Sequence, residues 1–312
     1  MTATPLILLA LVAMPVVLLL ATAGCGLGPI GTPLPPDTPL PPQPTPVPQP
    51  PGSGPTPTPT TPPTYSELVL SRAGLVGYWR LDEPSAIFAA PNPKAVNSHT
   101  PNTLDGNYDN TFGITLQQDG ALRNDPNKDK AALFSGGYVE VPYSPPLNPS
   151  SLTLELWMRL EADLGSWQVL AGCYAPQPLI DTTIARGYRL RARTKPGGGG
   201  AIEIEALLDT MPAPMIGEIS SGAQRSWHHI ALVYNPSVPV AQLFIDVDAT
   251  KKPAQESHGK YLTATGPNRP LRFAADQQLV VSTYHGLLDE IALYGDCLSG
   301  GDLHEHFVAA TT

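Results

Sequence analysis

The clearest pattern in the chain is a strict alternation. In Leu152–Leu160, "LTLELWMRL", the residues Leu152, Leu154, Leu156, Met158 and Leu160 take every second position, and Thr153, Glu155, Trp157 and Arg159 fill the gaps. Successive side chains of a strand point to opposite faces, so this period predicts a strand with one apolar face. "YVEVPYS", "AIEIEALL", "WHHIALVYN" and "AQLFIDVDA" read the same way, and "SGGY", "KPGGGG" and "TGPNRP" punctuate them as turns. No helix-period segment of useful length separates them. Many turn-bounded strands with little helix predict an all-β fold, an antiparallel β-sandwich. Two short helical pieces flank it. "YSELVLSRAG" predicts one helical turn with Ser66 as its cap, and "LSGGDLHEHFVAA" predicts a closing helix with Ser299 and Asp302 spaced as a capping box.

Ahead of Tyr65 the pattern is different. "PLILLALVAMPVVLLLATAG", Pro5 to Gly24, carries no charge. About 20 apolar residues can span a bilayer as a helix, or form the apolar core of a secretory signal. From Pro29 to Thr64 proline is interleaved with Thr, Gln and Gly, most clearly in "PTPTPTTPPT". Proline fixes φ and removes a backbone donor, so a polyproline II spacer is expected, reaching on the order of 100 Å when fully extended. The expected organisation is a signal or lipid-anchor segment at 1–25, a disordered Pro/Thr-rich linker at 26–64 and one domain at 65–312. The box "LATAGC" resembles the lipobox of bacterial lipoproteins, and the resemblance makes Cys25 the lipidated residue. No Lys or Arg precedes the apolar run, so an uncleaved helical anchor and a cleaved, released form stand as alternatives. Each places the rest of the chain in an extracytoplasmic setting, and the first two display it at the cell surface through a membrane anchor.

Charge narrows the partners. The 312 residues carry a formal net charge of −9, and only 14 % are charged. Phosphate binding needs clustered Lys and Arg, so nucleic acid is not an expected partner. The densest basic stretch, "RGYRLRART", places its arginines mostly on alternate positions, as one face of a strand. The chain has three cysteines. With Cys25 lipidated, Cys173 and Cys297 remain and could bridge outside the cell.

Five blocks in order carry a resemblance: "AGLVGYWRLDEPS", "ALFSGGYVEVPYSPPLNPSSLTLELWMRL", "WHHIALVYNPS", "LFIDVDA" and "GLLDEIALYGDCLSGGDLHEHFVAA". Together they resemble the LamG-type domains of the concanavalin A-like lectin and glucanase superfamily. The resemblance implies a jelly roll of two curved antiparallel sheets. It implies no single function, because members include sugar binders, adhesive modules, calcium-stabilised spacers and hydrolases.

The enzymatic branch of that superfamily carries E-x-D-x-x-E on one strand. Here "EIEALLD" keeps Glu203 and Glu205 on one face, but the middle acid is Glu and positions 207 and 208 are Leu. The constellation is broken, and no catalytic residue is expected. His228 and His229 are adjacent in a strand and point apart, so they cannot chelate together. His304 and His306 of "HEH" diverge on a helix and do not form H-E-x-x-H. Related modules often hold a structural calcium ion at one rim. The matching oxygen donors here are Glu83, Asn97, Asp105 and Asp289. Sugar binding needs exposed aromatic rings that stack on pyranose faces. Trp79, Trp157 and Trp227 read as scaffold, while Trp167, Tyr174 and Tyr284 fall in predicted loops and are the ligand candidates. The functional expectation is a non-catalytic binding module for carbohydrate or a surface glycoconjugate. A structural or adhesive module without a small ligand is the alternative, and a glycoside hydrolase the third reading.

Overall fold

The strand with the strongest alternation becomes the centre of one sheet. The computed structural model describes residues 62–84, 93–111, 113–174, 187–208, 211, 213–260, 269–275 and 284–312. In chain order the elements are helix α1 (Tyr65–Ser71) and strands β1 (Leu75–Trp79), β2 (Lys94–Ala95), β3 (Gly106–Asp109), β4 (Ile114–Asp119), β5 (Lys130–Ser135) and β6 (Tyr138–Val141). Strands β7 (Leu152–Leu160), β8 (Gln168–Tyr174), β9 (Gly187–Thr194), β10 (Ile202–Leu208) and β11 (Met215–Ile219) follow. Strands β12 (His228–Asn235), β13 (Val240–Ile245), β14 (Gln255–His258), β15 (Leu271–Phe273) and β16 (His285–Tyr294) then lead to helix α2 (Gly300–Thr311).

The strands form two antiparallel sheets. The first runs β14-β13-β12-β7-β16-β5-β4, with β1 also paired to β16. The second runs β11-β10-β9-β8-β15-β6-β3-β2. The expected antiparallel sandwich is the observed fold. The five alternating apolar residues of β7 face the second sheet and meet Leu190, Ile202, Ile204 and Phe273 in the inter-sheet core.

The other face of β7 is buried too. Thr153 and Glu155 are 0 % exposed and Trp157 is 1 % exposed. Helices α1 and α2 lie over this outer face, and Tyr65, Val69, Leu303 and Ala310 pack with Trp157, Val233, Phe244 and Tyr294 in a second core. The first sheet is therefore covered on both sides.

Helix caps fix where the two covering helices start. The cap of α1 is Thr64 and not the expected Ser66: Thr64 N–H donates to Glu67 Oε2 at 2.8 Å, and Glu67 N–H donates to Thr64 Oγ1 at 3.3 Å. The reason is reach, because the residue three beyond Thr64 is a glutamate whereas three beyond Ser66 stands Val69. The Ser299–Asp302 capping box of α2 forms as expected.

Cys173 and Cys297 remain free thiols. Cys173 belongs to the inter-sheet core, where its Sγ donates to Asn148 Oδ1 at 3.2 Å and burial pushes its pKa up to about 12. Cys297 packs against the second core, with its Sγ 3.3 Å from Ser151 Oγ. The expected bridge is not made, because the two thiols belong to different packing layers. Residues 1–61, with Cys25 and most of the linker, lie outside the described residues. Among the described residues no helix is long and apolar enough to cross a membrane.

Candidate functional site

The outer face of the second sheet has no helix over it among the described residues. Alternation along β9 sends Tyr188, Leu190 and Ala192 inward and Arg189, Arg191 and Arg193 outward. The facing strand β10 sends Glu203 and Glu205 to the same side, in register with Arg193 and Arg191. Arg191 grips Glu205 through Nε at 2.7 Å and Nη2 at 2.6 Å, and Arg193 Nε reaches Glu203 at 2.7 Å. These pairs hold the guanidiniums in place over an indole. Arg193 lies 4.4 Å and Arg191 5.2 Å from the ring centroid of Trp167, which is half-buried. Nearby, Arg189 lies 4.2 Å from the Tyr174 ring, and Arg272 of β15 lies 5.0 Å from the Tyr138 ring of β6.

Of the three aromatic ligand candidates, Trp167 offers the most accessible ring. Tyr174 is 5 % exposed and sits beneath Arg189, so it orients that arginine. Tyr284 is 0 % exposed in the inter-sheet core, and its hydroxyl donates to Arg159 O at 3.0 Å. It was expected on a loop; its place immediately before β16 carries it inside. Glu203 and Glu205 share a face as expected, and both are engaged by arginines.

A second constellation lies on the outer side of the first sheet. The register of β16 on β7 breaks between Asp289 and Ala292, and Glu290 adopts a φ of +51°. In an unbroken strand Asp289 and Glu290 point apart; a bulge re-aims the second of them. Both carboxylates then turn to one side, where Asp129 joins them, with ligand oxygens within 4.8 Å of one another. Arg80 donates to Glu290 Oε1 at 2.9 Å, Asp125 Oδ2 at 2.6 Å and Asp129 Oδ1 at 3.2 Å. Tyr78 donates its hydroxyl to Glu290 Oε2. Ala121 N–H donates to Asp289 Oδ2 at 2.8 Å, and Leu122 N–H to Asp129 Oδ2 at 2.8 Å. Asp289 Oδ1 is buried with no hydrogen-bond partner. Burial and the neighbouring Asp129 charge push the Asp289 pKa well above the carboxylate range, and burial raises those of Asp129 and Glu290. Asp82 also lies 3.5 Å from Arg80, so five acids surround one arginine, and the Asp129–Asp289–Glu290 cluster could bind a metal ion.

Of the four residues expected around a cation, Asp289 is the one in this cluster. Glu83 accepts from Val96 N–H at 2.7 Å and from the Tyr108 hydroxyl at 2.6 Å. Asn97 Oδ1 accepts from Tyr78 N–H at 3.0 Å and His99 N–H at 3.1 Å, and Asp105 accepts from Asn97 N–H at 3.0 Å. These three brace the connection from β1 to β3. Asp129 and Glu290 were not singled out from sequence, because the bulge that gathers them has no glycine or proline to mark it.

The histidines also separate as expected. His228 sits between Asp246 Oδ2 at 2.6 Å from Nδ1 and Ala223 O at 2.9 Å from Nε2. Two acceptors require both ring nitrogens to donate, so His228 is an imidazolium; burial opposes its charge but Asp246 outweighs it and raises its pKa. His229 Nε2 lies 3.0 Å from Glu155 Oε2 on the covered face. His306 of α2 reaches the same carboxylate through Nδ1 at 3.1 Å, and Tyr294 donates to Glu155 Oε1 at 2.6 Å. Arg72 Nε donates to His306 Nε2 at 3.4 Å, which leaves Nδ1 as the proton-bearing nitrogen facing Glu155. Burial opposes ionisation of Glu155, but His306 and His229 outweigh it and hold its pKa far below the usual range. His304 turns away to the Val247 carbonyl at 2.7 Å.

Two antiparallel sheets around a shared core, with a polar ring-and-guanidinium outer face that no helix covers among the described residues, define a lectin-like sandwich. Residues 133–304 match the family model of the concanavalin A-like lectin/glucanases superfamily, and the chain belongs to that superfamily. No curated protein matches the chain. Among solved structures, Trypanosoma rangeli sialidase in complex with 2,3-difluorosialic acid superposes with a TM-score of 0.52 at 14 % identity, covering 77 % of this chain and 34 % of that one. The binding domain of Paraclostridial Mosquitocidal Protein 1 gives 0.50 at 16 % identity, over 75 % of this chain and 52 % of that one. Domain 4 of AbnA, an extracellular arabinanase from Geobacillus stearothermophilus in complex with arabinotriose, gives 0.49 at 15 % identity, over 74 % and 97 %. The chain spans about a third of the sialidase and about half of the mosquitocidal chain. At these identities the likeness is one of fold.

Proposed function

We propose that the chain is a non-catalytic module, displayed at the cell surface, that binds carbohydrate on the outer face of its second sheet. The observation that carries this reading is the half-buried Trp167 ring with the ion-paired guanidiniums of Arg191 and Arg193 over it, a layer of ring and guanidinium on one outer face. An aromatic ring offers a stacking surface for a sugar face, and guanidinium donors bind hydroxyl and ring oxygens. Because the ion pairs already hold the side chains, little ordering cost remains for a ligand. Engagement of Glu203 and Glu205 by arginines supports binding over hydrolysis, since neither carboxylate stands ready as acid or nucleophile. The test is a glycan array probed with the full chain and with Trp167→Ala. Saccharide binding that is lost in the variant supports the reading; an array with no bound saccharide returns the chain to the adhesive alternative.

The acidic cluster fits a hard divalent cation, and we assign calcium to it as a structural ion. Asp129, Asp289 and Glu290 would hold it, and Asp289 Oδ1 is the buried oxygen that no backbone N–H, hydroxyl or guanidinium reaches. The ion would supply positive charge to a site with more acids than arginines. Display at the surface rests on the apolar run and Cys25; metabolic labelling with a radioactive fatty acid, lost in Cys25→Ala, tests the lipid anchor.

A further inference from the structure

Arg80 lies inside the acidic cluster on the outer side of the first sheet. It follows β1, where Tyr78, two residues earlier, turns to the same side, and both donate to Glu290. Leu81 beyond it adopts a φ of +58° and enters the inter-sheet core. The Arg80 side chain is 15 % exposed and has Asp82, Asp125, Asp129 and Glu290 in reach. Two of these carboxylates belong to the trio assigned to the ion. Nε donates to Glu290 Oε1 at 2.9 Å, and Nη2 donates to Asp129 Oδ1 at 3.2 Å.

The other oxygens of the trio are nearly all engaged. Tyr78 donates its hydroxyl to Glu290 Oε2, Leu122 N–H donates to Asp129 Oδ2 and Ala121 N–H to Asp289 Oδ2. Asp289 Oδ1 is the one that no N–H, hydroxyl or guanidinium reaches among the described residues. A calcium ion takes about 6–8 oxygen ligands, so an ion seated on Asp289 Oδ1 needs the neighbouring oxygens as well. The backbone donors and the buried phenol are fixed by the fold, which leaves the two contacts with Arg80 as the ones that can open. A guanidinium kept on those two oxygens would stand beside the ion, charge against charge, in a buried site with little screening. Arg80 also has partners to retain outside the trio. Nη2 donates to Asp125 Oδ2 at 2.6 Å, and Nη1 stands 3.5 Å from Asp82 Oδ2. The Asp82 side chain is 41 % exposed and marks the solvent side of the cluster.

From this we infer that Arg80 is the resident cation of the cluster and the competitor of the metal ion: its guanidinium holds Asp129 and Glu290 in the metal-free chain, and a divalent ion takes full hold only as Arg80 withdraws toward Asp125 and Asp82. This rests on the assignment of calcium to the cluster and adds the residue that sets its affinity. Arg80 lets the chain fold without the ion, because buried carboxylates with no cation are strongly destabilising, and it weakens the ion's binding for the same reason.

The experiment is calorimetric titration of calcium chloride into the full chain and into Arg80→Gln, which removes the charge and keeps most of the side chain's length. Both are also melted in calcium and in excess chelator. The expected result is calcium binding roughly tenfold or more tighter in Arg80→Gln than in the unaltered chain. The variant should melt below the unaltered chain in chelator, and calcium should raise its melting temperature by the larger amount. Calcium binding by Arg80→Gln that is equal or weaker overturns the competition and leaves the calcium assignment intact. If the variant does not fold even in calcium, the unaltered chain decides: proton exchange at Arg80 Nε–H, read by NMR, should quicken roughly tenfold or more as calcium saturates the chain and the bond to Glu290 opens. Exchange that calcium leaves unchanged overturns the competition. Calcium bound by neither protein overturns the ion and the competition together.

Discussion

Trp157 and Trp167 lie in and just after the same alternating stretch, yet on opposite sides of the molecule. Trp157 is on the outer face of the first sheet, where α1 and α2 close over it and Phe307 stacks 5.8 Å away. Trp167 is on the outer face of the second sheet, half-buried, with Arg191 and Arg193 over its ring. Polar groups differ in the same way. On the covered face, Glu155 gathers His229, His306 and Tyr294 out of water, which ties the returning helix to the sheet. On the outer face of the second sheet, arginines and glutamates pair while keeping part of the guanidinium exposed: Arg193 retains 29 % and Arg191 20 % of its side-chain surface, whereas Glu205 lies beneath them at 4 %. One face spends its polar residues on cohesion, and the other presents them.

The largest effects should separate the two tryptophans. Trp157→Ala should cost about 3–5 kcal/mol of stability in urea unfolding, because it empties a closed core. Trp167→Ala should cost under about 1 kcal/mol and abolish saccharide binding instead. If the two variants lost similar stability, the contrast between covered and open faces would fail.

Next comes the acidic cluster. Calcium at a hundredfold excess over its dissociation constant should stabilise the chain by about 2.7 kcal/mol relative to excess chelator. Identical melting in calcium and in chelator would remove the ion from the account. Without an ion, the raised carboxyl pKa values of Asp289 and Glu290 make their contribution greatest below the unfolded carboxylate range and lost as pH rises through the folded values.

His228 should have a smaller, pH-shaped effect. Its folded pKa is raised, so its contribution is full below the unfolded value of about 6.5 and is lost as pH rises through the folded one. His228→Asn should therefore cost about 1–3 kcal/mol at pH 5 and clearly less at pH 9, read from unfolding at the two pH values. A loss independent of pH would mean that the imidazolium pair with Asp246 does not form. The smallest effect belongs to the open face. Arg193→Gln breaks a partly exposed pair with Glu203 and should change stability by under about 1 kcal/mol.

Much of this fold is legible in the alternation of β7, β9, β10 and β12, because a strand that faces a core on one side must repeat every second residue. The inward set of β7 and the outward arginines of β9 follow from that rule alone. What alternation does not carry is the fate of the other face. Burial of Glu155 and Trp157 depends on α1 and α2, more than 200 residues apart, meeting over the same sheet. The joining of Asp129 to Asp289 and Glu290 depends on a bulge at a glutamate with positive φ, which no local propensity announces.

The measurement that tests the account most directly is hydrogen–deuterium exchange of the full chain with and without a saturating saccharide found by titration. The account predicts added protection in β8, β9 and β10 and in the turn carrying Trp167, with α1, α2 and β12 unchanged. Protection confined to the helix-covered side, with β9 and β10 unaltered, would contradict it.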